Sequence, residues 1–181
     1  MKKSFFIVLF SSALLQGCGS DTKTLFTDLD KSDTGIDFRN LVIDDENLNG
    51  SQYIYFYNGA GVAIGDINND GLQDIFFSGN MVKNRLYLNK GNFEFENITE
   101  QSHVAEKQGW CTGTSMVDIN QDGLLDIYVC RSADENADKR KNLLFINNGD
   151  LSFTESAEQY GLADNGYSTH ASFFDYDRDG D

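Results

Sequence analysis

Short apolar runs, punctuated by Asp, Asn and Gly, set the rhythm of this chain. Gly61-Val-Ala-Ile-Gly and Asp74-Ile-Phe-Phe are bounded by polar turns, and Phe93 and Phe95 alternate with Glu94 and Glu96. Alternation with period two, and brief apolar runs between turn signals, predict β-strands. No segment sustains a long apolar period of 3.6 residues. One unit is predicted to hold four strands, at 61–66, 74–78, 84–89 and 92–97. Asn89-Lys90-Gly91-Asn92 and Asn147-Asn148-Gly149-Asp150 read as hairpin turns, because Gly and Asn accept positive φ at low cost.

The pattern repeats, and the repeat decides the fold. Gly61-Val-Ala-Ile-Gly-Asp-Ile-Asn-Asn-Asp-Gly-Leu-Gln-Asp-Ile-Phe-Phe77 is echoed by Gly113-Thr-Ser-Met-Val-Asp-Ile-Asn-Gln-Asp-Gly-Leu-Leu-Asp-Ile-Tyr-Val129. A third copy begins at Ser168. The leading aspartates fall at 66, 118 and 175, in steps of 52 and 57 residues. Four antiparallel strands at that period predict an all-β fold built from propeller blades. Residues 53–107 make one blade, 108–164 a second, and 165–181 the first strand of a third. Two blades cannot close a ring and hide their edge strands, so the chain is expected to be a fragment of a longer protein.

The repeated loop, Asp-x-Asn/Asp-x-Asp-Gly-x-x-Asp, carries the chemistry. Oxygen side chains at positions 1, 3 and 5 turn inward, Gly at 6 allows the sharp turn, and a carbonyl at 7 and a carboxylate at 9 complete a shell of hard oxygens suited to Ca2+. The first set is Asp66, Asn68, Asp70, the Leu72 carbonyl and Asp74. The second is Asp118, Asn120, Asp122, the Leu124 carbonyl and Asp126. The third offers Asp175, Asp177, Asp179 and the Asp181 carbonyl. Two carboxylates ~4.5 Å apart repel by roughly 3–4 kcal/mol at an effective dielectric of 20, and a divalent ion converts that repulsion into a closing force. An EF-hand needs a Glu at position 12 and flanking helices. Position 12 is Phe77 or Val129 here, and the flanks read as strands, so the helical alternative fails.

Charge agrees with this reading. The formal net charge is −15, from 29 acidic and 14 basic residues, and ten of the acidic ones sit in the three loops. Nucleic acid as a partner is excluded on that balance, since phosphates demand a basic footprint. At the amino terminus, Met1-Lys2-Lys3 precedes the apolar run Phe5 to Leu15 and then Leu15-Gln16-Gly17-Cys18. Basic start, short apolar run and small residue before the cut describe a signal peptide over 1–17, too short to span a membrane. The placement of Cys18 resembles a bacterial lipobox, which implies acylation of its thiol and a membrane anchor without a span. Gly19, and not Asp, follows, which favours the outer membrane, on either its periplasmic or its surface side. Residues 18–52 would then be the lipidated Cys, a polar tether and a lead-in.

With these residues in hand, the loops and their flanks resemble the FG-GAP/VCBS repeats of integrin-α-type propellers. Tyr55-Phe-Tyr-Asn-Gly-Ala-Gly-Val-Ala-Ile-Gly-Asp-Ile-Asn-Asn-Asp-Gly-Leu72 and Ser168-Thr-His-Ala-Ser-Phe-Phe-Asp175 are also similar to large exported bacterial proteins with many VCBS repeats and a C-terminal ASPIC/UnbV domain. The resemblance covers about 53–181. It implies a ring of seven blades, calcium in a hairpin between two strands of one blade, and a role in adhesion or recognition of a protein or glycan. The chain lacks most of that ring, so ligand recognition does not carry over with it.

Other residues point less sharply. His103 and His170 sit in no catalytic motif, and Trp110 reads as blade core in preference to a sugar platform. Lys139-Arg140-Lys141 reads as a solvated loop tip. Cys111 and Cys130 flank the second loop at unequal offsets, and a disulfide between them would need the register or a bulge to bring them together. The function expected is a calcium-binding scaffold for binding or adhesion, not an enzyme. The alternative is a non-catalytic part of a larger glycan-active enzyme, which would need paired carboxylates outside the loops; 53–181 offers none.

Overall fold

The computed structural model describes residues 25–105 and 109–178. The signal segment 1–17, Cys18, Asp179 and Asp181 lie outside them. Two antiparallel four-stranded meanders follow one another. The first comprises β1 (Val62–Gly65), β2 (Asp74–Phe77), β3 (Arg85–Asn89) and β4 (Phe95–Asn97), and the second β5 (Trp110–Val117), β6 (Asp126–Ser132), β7 (Leu143–Asn147) and β8 (Phe153–Glu155). Their registers are copies: Ile75 faces Tyr87 as Ile127 faces Phe145, and Tyr87 faces Asn97 as Phe145 faces Glu155. This is the blade architecture that the repeat predicts, and the two sheets do not close on themselves.

Alternation along the strands turns one face of each sheet toward the other. Phe76, Leu86 and Leu88 of the first meet Cys111, Ile127, Val129, Leu143 and Phe145 of the second in one buried cluster, joined by Ile67, Ile98, Val104 and Phe153. Each such side chain contributes about 1.5–3 kcal/mol over its exposed state, so this interface is the main cohesive element. The second sheet's other face, with Tyr128, Cys130 and Leu144, packs on Ala171 and Phe173 of the third copy. All seven residues of β6 are buried as a result, as a strand covered on both faces must be.

The innermost segments come within backbone contact, and glycine permits it; that of the third copy, expected to be a strand, forms none over residues 165–178. A Cβ on Gly61 would stand 2.7 Å from both the Thr112 carbonyl oxygen and the Thr114 nitrogen, and one on Gly113 would stand 2.5 Å from the Thr169 carbonyl oxygen. The same approach is held by hydrogen bonds from Ser78 Oγ to Thr112 O (2.7 Å), Gly113 N to Thr169 O (2.9 Å) and Ser115 Oγ to Ala171 O (2.7 Å).

The outer face of the first sheet is partly covered by the lead-in. A single turn, α1 (Lys31–Thr34), capped by Asp30, precedes Phe38, whose ring stacks on Phe77 at 4.9 Å. Tyr87 donates its hydroxyl to Asp37 Oδ1 at 2.7 Å. Burial, then this carboxylate, pushes the Tyr87 hydroxyl up to about 12.

Two sequence expectations change here, and one question left open is decided. Strand β4 starts at Phe95 and not at 92, because Asn92 and Phe93 adopt positive φ (53° and 63°) to complete the turn, which leaves Phe93 exposed. Within the solvated tip of the β6–β7 connection, Lys139 stays exposed but Arg140, at the end of the turn α2 (Ala137–Arg140), does not stand free. Arg140 donates to the carbonyls of Asp134, Glu135 and Asn165 and lies 4.3 Å over the Tyr167 ring. Cys111 and Cys130 form no disulfide. The β5–β6 register shifts between Cys111 and Thr114, and the two thiols fall in clusters on opposite faces of the sheet. Burial pushes the Cys130 thiol up to about 11, so it stays protonated and unreactive near neutrality. Trp110 is core, 4% exposed, with Tyr53 and Phe56 against its ring. His103 and His170 are both exposed.

Candidate metal centres

Each β1–β2 and β5–β6 connection is an eight-residue loop whose nine-residue motif ends on the first residue of the following strand, and the two are built alike. Asp66 Oδ1 accepts from Asp70 N (3.1 Å) and Oδ2 from Gly71 N (2.8 Å); Asp118 accepts from Asp122 N and Gly123 N at the same distances. Asp70 Oδ1 takes the Leu72 N–H at 2.8 Å, as Asp122 Oδ1 takes that of Leu124. Asn68 and Asn120 accept from the amide two residues ahead and donate back to the same residue's carboxylate. Gly71 and Gly123 sit at φ +86° and +87°, a region other side chains enter at a cost.

The ninth position differs from the rest. Asp74 and Asp126 are fully buried at the mouths of β2 and β6. Asp74 accepts from Ile67 N (3.0 Å) and Asn89 N (2.8 Å); Asp126 accepts from Ile119 N (3.1 Å) and Asn147 N (2.8 Å). These carboxylates tie the loop to the β3–β4 or β7–β8 hairpin beside it. Asn89 and Asn147 therefore do more than turn the chain. Asn89 Nδ2 holds the Gln73 carbonyl at 2.8 Å, and Asn147 Nδ2 holds the carbonyls of Ile67 (2.8 Å) and Leu125 (3.2 Å). Sequence reasoning missed this role, although the recurrence of Asn-x-Gly at 89 and 147 in both units was the available signal.

Among the described residues, no three Asp, Glu, His or Cys side chains are drawn into a group ready to hold a metal ion; the loop oxygens are turned to backbone N–H groups. The donor set nevertheless suits a hard cation: in each loop three carboxylates, one amide oxygen and a carbonyl, all oxygen. Its electrostatics suit one as well. Burial pushes the Asp74 carboxyl up, two backbone donors pull it back, and the negative charges of Asp70 and Asp66 push it up again; Asp126 is placed likewise against Asp122 and Asp118. A bound cation would relieve that crowding, so the residues present fit calcium. In the third copy Asp175 accepts from Arg178 N, and Arg178 has φ 65°, close to the 58° of Asn69 and Gln121 at the fourth position of the other loops.

A raised carboxyl holds its proton better folded than unfolded. Its contribution is complete below the ordinary value of 3.8 and is lost as pH rises through the higher folded value. In metal-free buffer, the stability of the wild type relative to Asp126→Asn is therefore expected to fall as pH rises from about 4 into the range above the folded value. Urea midpoints measured across that range check it, and a difference that grows with pH would contradict the placement of this carboxyl. Asp37, held down by the Tyr87 hydroxyl, carries the opposite sign: its share is lost as pH falls.

Residues 66–129, from the start of the first loop to Val129 in β6, match the FG-GAP-like repeat. The chain is also similar to cartilage acidic protein 1 of Xenopus tropicalis, at 32% identity over 101 residues. That alignment covers 56% of this chain and 15% of the relative, so the chain spans a small part of that protein's length.

Proposed function

We propose that this chain, through which an FG-GAP-like repeat runs, is a calcium-stiffened binding module of an exported, lipid-anchored protein and not itself a catalyst. Support comes first from one observation: two loops of the same oxygen-rich composition keep the same internal hydrogen bonds, 52 residues apart. Calcium in these loops would draw carboxylates together across the base of each hairpin, with Asp66, Asp70 and Asp74 holding one ion and Asp118, Asp122 and Asp126 another. The sequence of residues 1–18 supports export and anchoring through Cys18. A protein or glycan ligand would meet the opposite end of the blades. An open cleft of about 670 Å³ lies there, lined among others by Tyr53, Trp110, Asp134, Glu135 and Tyr167.

Extracellular modules bind calcium with Kd on the order of 0.1–1 mM. At about 10 mM calcium each loop would then add roughly 1.4–2.7 kcal/mol by linkage. A melt followed by circular dichroism should shift upward by roughly 3–10 °C per site, and much less with magnesium, whose rigid octahedral demand the flexible loop serves poorly. A folded sample whose melt and calorimetric trace ignore millimolar calcium would end this reading.

A further inference from the structure

The two loops are not independent. Asn69, exposed at the fourth position of the first loop, donates Nδ2 to the Gly123 carbonyl at the sixth position of the second, at 2.9 Å. A second connection runs through the interior. Asp74 Oδ2 accepts from Ile67 N, the Ile67 carbonyl accepts from Asn147 Nδ2, and Asn147 N donates to Asp126 Oδ1, at 3.0, 2.8 and 2.8 Å. The backbone of one residue, Ile67, and one asparagine thus join the two buried carboxylates in a chain of hydrogen bonds. The residues along it are 0–4% exposed, so water does not compete with these bonds.

We infer that the first and second loops bind cations as a coupled pair, the order imposed on one loop being passed to the other through Asn69 and Asn147. This rests on the calcium reading above. The physical argument is that each loop has backbone the other must hold still. A cation that fixes Asp74 restrains the backbone of Ile67 on both sides of its Cα, which restrains the Asn147 side-chain amide and with it the Asn147 N–H that orients Asp126. Ordering at one site lowers the conformational cost still to be met at the other, which is positive cooperativity, and it must act equally in both directions. Asn69 works on the same pair from the solvent side, since its bond aligns the turn that carries Gly123.

Calcium chloride titration of the whole chain, labelled with nitrogen-15, reads each loop through its own glycine amide, Gly71 for the first and Gly123 for the second. Disabling the second loop by Asp122→Ala is expected to weaken calcium binding seen at Gly71 by about 5-fold or more. Disabling the first by Asp70→Ala should weaken binding seen at Gly123 by the same factor. In an Asn69→Ala background, a surface change that spares the core, both factors should shrink; Asn147→Ala removes the buried arm and should shrink them further. Two amides that titrate independently, or a coupling untouched by Asn69→Ala and Asn147→Ala, would overturn this inference while leaving calcium binding intact. Amides that do not move at all at millimolar calcium would overturn the calcium reading and the coupling together.

Discussion

Asp126→Ala is expected to destabilise the chain by about 3 kcal/mol or more with no cation present, because it strips the acceptor from two backbone N–H groups at once. Ile119 N and Asn147 N both end on this carboxylate, and each donor left buried without an acceptor costs about 1–3 kcal/mol. The loop would also lose its ninth-position oxygen. Asp122→Ala makes the contrast. Asp122 is exposed and accepts from the Leu124 amide at Oδ1 and the Asn120 side chain at Oδ2, both within reach of water, so its removal should cost less than about 1 kcal/mol in metal-free buffer, yet abolish calcium stabilisation of that loop. Urea titration of both variants, with and without calcium, separates the two roles. Equal losses in metal-free buffer would mean that Asp126 is not the structural anchor its burial implies.

The second large effect concerns the closest approach between blades. Gly113→Val would drive a branched side chain into the Thr169 carbonyl, already 2.5 Å from the position of a first carbon, and into His170 beside it. The His170 ring can turn aside, but the Thr169 carbonyl and the His170 Cα are backbone, so the 169–170 segment must move away from β5. Overpacking of this kind costs about 3 kcal/mol, or a fall of roughly 1–3 M in urea midpoint for an m-value of about 1–3 kcal/mol/M. Gly61→Val, placed one repeat earlier against Thr112 and Thr114, should behave alike. A tolerated valine at both positions would show that the inner strands do not need this contact.

Much of this was legible in the residues, and the exceptions have definable causes. Strands β1 to β3 and β5 to β7 follow from apolar runs between Asp- and Gly-marked turns, and the oxygen-bearing loops follow from spacing alone. Phe93 misled because alternation with Glu94 suggests a strand, whereas the preceding Gly91-Asn92 turn extends through it at positive φ. The separation of Cys111 from Cys130 depends on a register shift in β5, and a one-residue slip moves a side chain to the other face without leaving a trace in composition. Arg140 looked like part of a solvated basic tip, but three carbonyls and a tyrosine ring are brought to it by segments up to 27 residues away. In the loops, residue types announced the candidate ligands, while the buried amide that connects one loop to the next became visible only once partners 80 residues apart were placed together.

That separation has a consequence for the order in which the protein is made. A chain leaving the ribosome presents Ile67 long before Asn147, and the first meander can zip its ladders as soon as Asn97 emerges, because every pairing within it is between neighbours. The Ile67 carbonyl must then wait for the second meander before it is satisfied without water. The first unit would thus mature one unit behind synthesis, its ladders early and its polar seam late. Until Asn147 is made, the nascent chain carries that interface unfinished at its growing end.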